Sequence, residues 1–324
     1  MDMTDGIIVK TTGNSYGVKT ADGEILNCFI KGNFRIRGIR STNPVAVGDH
    51  VKIERQSDGT NWIIDLYDRK NYIIRRSTNL SKYSHIIAAN VDLLVLVATV
   101  NHPVTSLVFI DRCLATAEAY RVPVCILFNK VDILSEDELT RLSEWKRLYG
   151  QLGYPVFLMV ANQLQQSDAS CQVQNLQWVT LSFLQNFFAG KTVLLSGNSG
   201  VGKSTLLNAL VGKDVAKTSP VSSAHDKGMH TTTFSEMYDL PSSGRIIDTP
   251  GIKGFGVLDM QREEVSHYFK ELFHVSRNCR FSNCTHTLEP GCAVLQAVEK
   301  GEIALSRYNS YLSIMEDAEE EKYR

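Results

Sequence analysis

Gly197-Asn198-Ser199-Gly200-Val201-Gly202-Lys203-Ser204-Thr205 is the stretch on which the reading of this chain turns. It has the spacing G-x-x-x-x-G-K-[ST], with the apolar run Thr192-Val-Leu-Leu195 before it and an apolar helical segment from Leu206 after it. Strand, glycine loop and helix in that order let successive backbone N–H groups wrap a phosphate, while the helix amino end adds positive potential. Lys203 would reach the β- and γ-phosphates, and the Ser204 hydroxyl would ligate Mg²⁺. The bland alternative is a glycine-rich turn that merely precedes a helix.

Upstream, the runs Val91–Val97, Val124–Phe128 and Val156–Val160 are near-continuously apolar and alternate with helical stretches. Strands buried on both faces have this texture, so the core is α/β with a doubly wound parallel sheet. One helix starts at Ser135-Glu-Asp-Glu138, which has the spacing of a capping box, and continues through Leu139, Leu142, Trp145 and Leu148 on one stripe. Asn162 to Asn175, rich in Gln, Ser and Asn, reads as a surface excursion.

A phosphate cradle does not select a base. Asn129-Lys130-Val131-Asp132 follows the run Val124–Phe128, at the carboxyl end of a strand where open α/β sheets bind ligands. A two-pronged carboxylate at Asp132 matches the adjacent N1–H and N2–H donors of guanine, which adenine lacks. Asn129 can bridge base and neighbouring loops, and the Lys130 stem can lie along base or sugar. Asp248-Thr-Pro-Gly251 follows the strand Arg245–Ile247, with Asp248 suited to hold a Mg²⁺-bound water and the Gly251 amide to read the γ-phosphate. In Gly228-Met-His-Thr-Thr-Thr233, Thr231 or Thr232 is the candidate to complete the metal shell, and the sequence does not choose between them. Ile252 stands where many GTPases carry a water-orienting glutamine. Slow intrinsic hydrolysis is therefore expected. His230 is the nearest polar substitute in a switch; a solvated loop histidine is the other reading.

The order of these elements carries information. The base loop (129–132) precedes the phosphate loop (197–204), which precedes the metal aspartate (248), whereas ordinary GTPases end on the base loop. The domain is therefore read as circularly permuted, its γ-phosphate-sensing segment joined directly to the cysteine-bearing carboxyl-terminal region.

The chain has 324 residues, 43% hydrophobic and 21% charged, which suits two or three globular domains. With 34 basic against 35 acidic residues, no global field draws it to nucleic acid. The start, MDMTDGIIVK, lacks the zones of a secretory signal, so a cytoplasmic, membrane-free protein is expected, and nothing suggests more than a monomer. Residues 1–75 show short alternating runs (Ile25–Ile30, His50–Glu54) between glycine turns, the pattern of a small OB-type barrel. Arg35, Arg37, Arg40, Lys52 and Arg55, interleaved with Phe29 and Phe34, suit RNA; a solvated barrel face is the alternative. Residues 76–260 form the nucleotide domain and 261–324 a helical one. In the latter, Cys279-x₄-Cys284-x-His286-x₅-Cys292 offers three thiolates and an imidazole for one structural Zn²⁺, or a cluster of reduced cysteines without metal.

Taken together, a leading barrel, the permuted motifs and the trailing cysteine cluster resemble the RsgA (YjeQ) family of bacterial GTPases dependent on the small ribosomal subunit. The resemblance covers nearly the whole chain. It implies a GTPase that binds the 30S subunit and its 16S rRNA, acts in late maturation, binds zinc through Cys279, Cys284, His286 and Cys292, and uses His230 in catalysis. Two departures stand out: Met229 replaces the usual arginine, and Val160-Ala161 is an imperfect base-contacting S-A element, leaving a backbone amide near Ala161 as the expected contact. Two other classes are weighed against this reading. One is an RNA-binding module that senses guanine nucleotide with incidental hydrolysis. The other is a zinc-containing transcription regulator, weakened by the absence of a basic recognition helix.

Overall fold

The structure, a computed structural model, describes residues 2–30, 44–76, 84–164, 172–173, 176–216, 235–249 and 261–322. Five strands at the amino end alternate buried and exposed side chains: β1 (Asp2–Thr11), β2 (Tyr16–Thr20), β3 (Ile25–Ile30), β4 (His50–Arg55) and β5 (Asn61–Leu66). They pair in the order β1-β2-β3-β5-β4, and β4 returns to β1 with Asp2 opposite Arg55 and Ile7 opposite His50. That last pairing closes the barrel and leaves no free edge. Ile8, Val18, Val51, Ile53 and Ile63 fill its interior with no exposed surface. A hairpin of β6 (Tyr72–Arg76) and β7 (Ser84–Ala89) leads out of it.

The nucleotide domain is built on β8 (Leu93–Ala98), β9 (Val124–Phe128), β10 (Val156–Leu158), β13 (Thr192–Ser196), β14 (Glu236–Asp239) and β15 (Arg245–Asp248). A short hairpin, β11 (Gln172–Val173) and β12 (Leu176–Gln177), lies apart from this sheet. Strand order is β10-β9-β8-β13-β15-β14, parallel except for β14. Every residue of β8 and β9 is buried, as their unbroken apolar sequences require of strands covered on both faces. Helices α1 (Leu107–Ala119) and α2 (Glu136–Gln151) cover one face, packing Ile110, Leu114, Leu139 and Leu142 on Leu94, Leu96 and Ile126. Helices α3 (Leu181–Phe188) and α4 (Lys203–Val211) cover the other, with Leu184, Phe188, Leu206 and Leu207 against Val95, Val97 and Leu195. The capping box at the start of α2 is formed in both directions, Ser135 Oγ to the Glu138 amide and the Glu138 carboxylate to the Ser135 amide.

β14 also pairs with barrel strand β1, Glu236 opposite Lys10, so barrel and nucleotide domain share one sheet of 11 strands. Residues 261–322 add a 3₁₀ segment (Arg262–Tyr268), α5 (Lys270–Ser276), α6 (Ala293–Glu299) and α7 (Leu305–Lys322). Their core of Val265, Phe269, Leu272, Val294, Tyr311 and Ile314 includes Ala115 of α1. Arg307, almost wholly buried on α7, donates to Asp111 of α1 at 2.7 Å and to Glu271 of α5 at 2.6 Å, and Tyr149 of α2 donates to Asp111 at 2.8 Å. No described helix is long and apolar enough to cross a membrane.

Candidate nucleotide-binding site

The parallel strands deliver their carboxyl-terminal loops to one edge of the sheet. β13 runs into the glycine loop 197–202 and then α4, β9 into Asn129–Asp132, β10 into Val160–Ala161, and β15 ends at Asp248. The two loops that define the site, far apart in sequence, touch. The side-chain amide of Asn129, 3% exposed, donates from Nδ2 to the Val201 carbonyl at 2.7 Å, and its Oδ1 accepts from the Ala161 amide at 2.9 Å. One side chain thus ties the phosphate loop, the base loop and the Ala161 loop together. The geometry requires glycine at 202. Its φ is 100°, and a Cβ there would lie 2.2 Å from Asn129 Nδ2. Gly197 is similarly confined, a Cβ meeting the Val97 carbonyl oxygen at 2.2 Å.

Lys203 Nζ donates to the carbonyls of Gly197 and Asn198 at 2.8 and 2.7 Å, which keeps the ammonium over the loop. Burial pulls this ammonium below its ordinary lysine value, against the attraction of Asp248. Asp248 mirrors it: burial lifts the carboxyl above its usual range, against the pull of Lys203. Two charges of opposite sign that each pay for desolvation gain most from a partner of opposite charge, a phosphate for Lys203 and a divalent cation for Asp248. Ser204 follows Lys203 in the first turn of α4, partly exposed. Asp132 stands exposed on the single 3₁₀ turn Val131–Ile133, and Lys130 enters that turn in the left-handed region at φ 63°.

The structure adds a partner that the sequence did not indicate. Lys130 Nζ donates to the His102 carbonyl at 2.5 Å, and the Pro103 ring lies 3.6 Å from where a Gly200 Cβ would sit. Burial, ahead of the counteracting charge of Asp132, lowers the Lys130 ammonium. The loop Asn101–Thr105 after β8 therefore abuts both the phosphate loop and the base loop. Asn101 Nδ2 anchors it to Glu138 at 2.6 Å, at the start of α2. The run His102-Pro-Val-Thr105 carries no phosphate or base signature, and the parallel placement of β8 next to β13 is what would have pointed to it. His230, Thr231, Thr232 and Gly251 lie outside the described residues, as do Arg35, Arg37, Arg40 and Phe34 of the basic-aromatic set. Of that set, Phe29 is tilted against Trp62 at 6.0 Å, beside a 480 Å³ groove also lined by Asn14, Tyr16 and Pro44, and Arg55 pairs with Glu24 at 2.8 Å.

The spacing Cys279, Cys284, His286, Cys292 closes into one cluster whose ligand atoms all lie within 4.8 Å. His286 Nδ1 is 3.6 Å from Cys279 Sγ and 3.5 Å from Cys292 Sγ, and the two sulfurs are 4.0 Å apart. Zn–S bonds of ~2.3 Å meeting at tetrahedral angles put sulfurs about 3.8 Å apart. The donor set and its edges fit a zinc ion. Burial pushes the Cys284 thiol up to about 12 and lowers the His286 imidazolium, so the imidazole is ready to ligate while the Cys284 thiol needs a cation to ionise. Tyr308 and Tyr311 of α7 hold the loop by donating to the carbonyls of His286 and Thr285 at 2.7 and 2.6 Å.

Comparison with known proteins gives matches over the whole chain. A family model described as RsgA GTPase matches residues 66–258, and one described as RsgA N-terminal domain matches residues 5–63. A Bacteroides fragilis protein named small ribosomal subunit biogenesis GTPase RsgA is 57% identical over 319 residues, 98% of each chain. A protein of the same name from Porphyromonas gingivalis is 53% identical over 99% of each. Among solved structures, YjeQ from Thermotoga maritima superposes with a TM-score of 0.74 at 31% identity, covering 98% of this chain and 99% of the other. YloQ, described as a circularly permuted GTPase, superposes with a TM-score of 0.72 at 26% identity, covering 100% and 97%.

Proposed function

This chain belongs to the RsgA GTPase family, and on that premise we propose that it hydrolyses GTP on the 30S ribosomal subunit during the subunit's late maturation. The observation that carries the proposal is the Asn129 amide, which joins the phosphate loop to the guanine loop at one sheet edge. In this reading Asp132 accepts from the guanine N1–H and N2–H, Asn129 fixes the loop that presents it, and Ala161 serves the base through Asn129. Gly197, Asn198, Ser199, Gly200, Val201, Gly202 and Thr205 line the phosphates, and Lys203 exchanges two loop carbonyls for phosphate oxygens. Mg²⁺ bound with GTP supplies electrostatic neutralisation of the triphosphate; Ser204 and one of Thr231 and Thr232 would hold it, with Asp248 behind a bound water. Gly251 reads the γ-phosphate, and His230 orients the attacking water.

The chain divides at about residues 75 and 260 into barrel, GTPase and zinc-binding parts. The zinc part is structural, since four protein ligands leave no open position. The Phe29–Trp62 pair and its groove are suited to stack 16S rRNA bases. The protein acts as a cytoplasmic monomer. GTP turnover measured while titrating purified 30S subunits tests the reading: strong stimulation is expected, and an unchanged rate would leave only a nucleotide-sensing RNA binder. Asp132→Asn should shift preference from guanine toward xanthine nucleotides, whose 2-oxo group accepts from the new amide. His230→Ala should abolish stimulated turnover while GTP still binds.

A further inference from the structure

Three ionisable side chains from three adjacent strands fall in one register row. Lys10 of the barrel strand β1 lies opposite Glu236 of β14, and Glu236 lies opposite Asp248 of β15. Directly opposed residues of paired strands share a face. Here it is the face that α4 covers, because Tyr238 and Ile246, each two residues along, pack there with Leu206 and Leu207. Lys10 Nζ donates to Glu236 Oε1 at 3.1 Å. Burial is what chiefly lifts the Asp248 carboxyl, Lys203 and the Thr249 amide draw it down, and Glu236 adds the smallest push, upward. A second ion pair crosses the same seam, Lys19 to Asp239 at 2.5 Å, but Asp239 lies opposite Arg245 and turns away from the nucleotide edge. In sequence, Glu236 is three residues beyond Thr233, at the exit of the segment that carries His230.

We propose that Glu236 is a positioning residue of the nucleotide site, its carboxylate held off Asp248 by a lysine that the barrel supplies. Seating of the barrel on β14 then sets how much uncompensated negative charge faces the Mg²⁺–triphosphate. With Lys10 engaged, the Glu236 charge is partly offset. With Lys10 withdrawn, the full charge of a second carboxylate in the Asp248 row repels the triphosphate. Both partners are partly solvated, with side chains 46% and 36% exposed, so the effect is graded and screened by salt. The inference rests on Asp248 standing at the Mg²⁺ side of the site.

The test measures the affinity of the full-length protein for a fluorescent GTP analogue with Mg²⁺. Lys10→Met should weaken binding about two- to fivefold at low ionic strength, with the gap closing at about 0.5 M salt. Lys10→Arg should restore it. In a Glu236→Gln background, Lys10→Met should change nothing. A loosened seam would instead weaken binding equally in that background and at high salt, and either result overturns the proposal, as does an unchanged affinity of Lys10→Met at low salt. If Asp248→Asn leaves the Mg²⁺ dependence of wild-type binding intact, the site assignment itself has failed, which is distinct from failure of the Lys10 contact.

Discussion

Asn129 uses both ends of its amide to join loops, and neither bond reaches solvent. Asn129→Ala strands the buried Ala161 N–H and Val201 carbonyl, at about 1–3 kcal/mol for each unsatisfied group. A lower urea midpoint and a GTP dissociation constant raised at least about tenfold are the expected results, read by denaturation and by titration. Gly202→Ala makes the complementary prediction from the other side of the same contact. The methyl would clash with Asn129 Nδ2 on a backbone at φ 100°, so GTP binding should be lost while far-UV circular dichroism is retained. Motif spacing singled out both residues as candidates, because phosphate wrapping and guanine reading each demand particular atoms at fixed offsets. It did not reveal that the two motifs are bonded to each other, or that Lys130 leans on the His102 carbonyl, since those contacts depend on which strands become neighbours.

At the level of single elements, α2 illustrates what local sequence decides. Ser135→Ala removes one half of the capping box, costs about 1 kcal/mol, and should lower the melting temperature by a few degrees. Glu138 does more than cap, since it also holds Asn101. Its carboxyl is kept below the ordinary glutamate range by the Ser135 amide first and Asn101 second. The support it gives the nucleotide-edge loop is therefore complete above that ordinary range and is lost as pH falls below it. The cysteine–histidine cluster was legible for a different reason: three thiols and an imidazole within 14 residues have few uses apart from gathering around one ion. Chelation at neutral pH should expose Cys279, Cys284 and Cys292 to alkylation, while Cys28, Cys113 and Cys125, with no exposed surface, stay protected, as mass spectrometry would record. The β6–β7 hairpin was not legible in the same way. Its strands flank a polar stretch that looks like a linker, and residues on both sides of position 75 pair with one another.

Across the whole molecule, the cysteine-bearing carboxyl-terminal part is fastened to the GTPase core by the buried cation Arg307, with the solvated pairs Arg112–Asp317 and Lys270–Glu118 beside it. Arg307 sits between Asp111 and Glu271, contributed by separate helices. Arg307→Met would leave two carboxylates without their partner in low dielectric, at about 3–5 kcal/mol. Calorimetry should then resolve two unfolding transitions where the parent protein shows one, because the carboxyl-terminal helices lose their buried polar hold on α1 and keep the Ala115 packing and two solvated ion pairs. The permuted order itself was readable from the motifs, since base loop before phosphate loop admits one domain topology. The side-by-side sheet of barrel and core was not, because β1 and β14 pair through strands that are each ordinary in sequence. That topology also has a timetable. β8, β9 and β10 leave the ribosome before β13, whose Thr192 amide bonds to Asp92 across a separation of 100 residues. At roughly 5–20 residues per second, the open edge of β8 waits about 5–20 seconds for its neighbour. A nascent chain therefore carries the loop Asn129–Asp132 with the Asn129 amide still lacking its Val201 partner, and nucleotide cannot assist folding until residues 197–204 have been made.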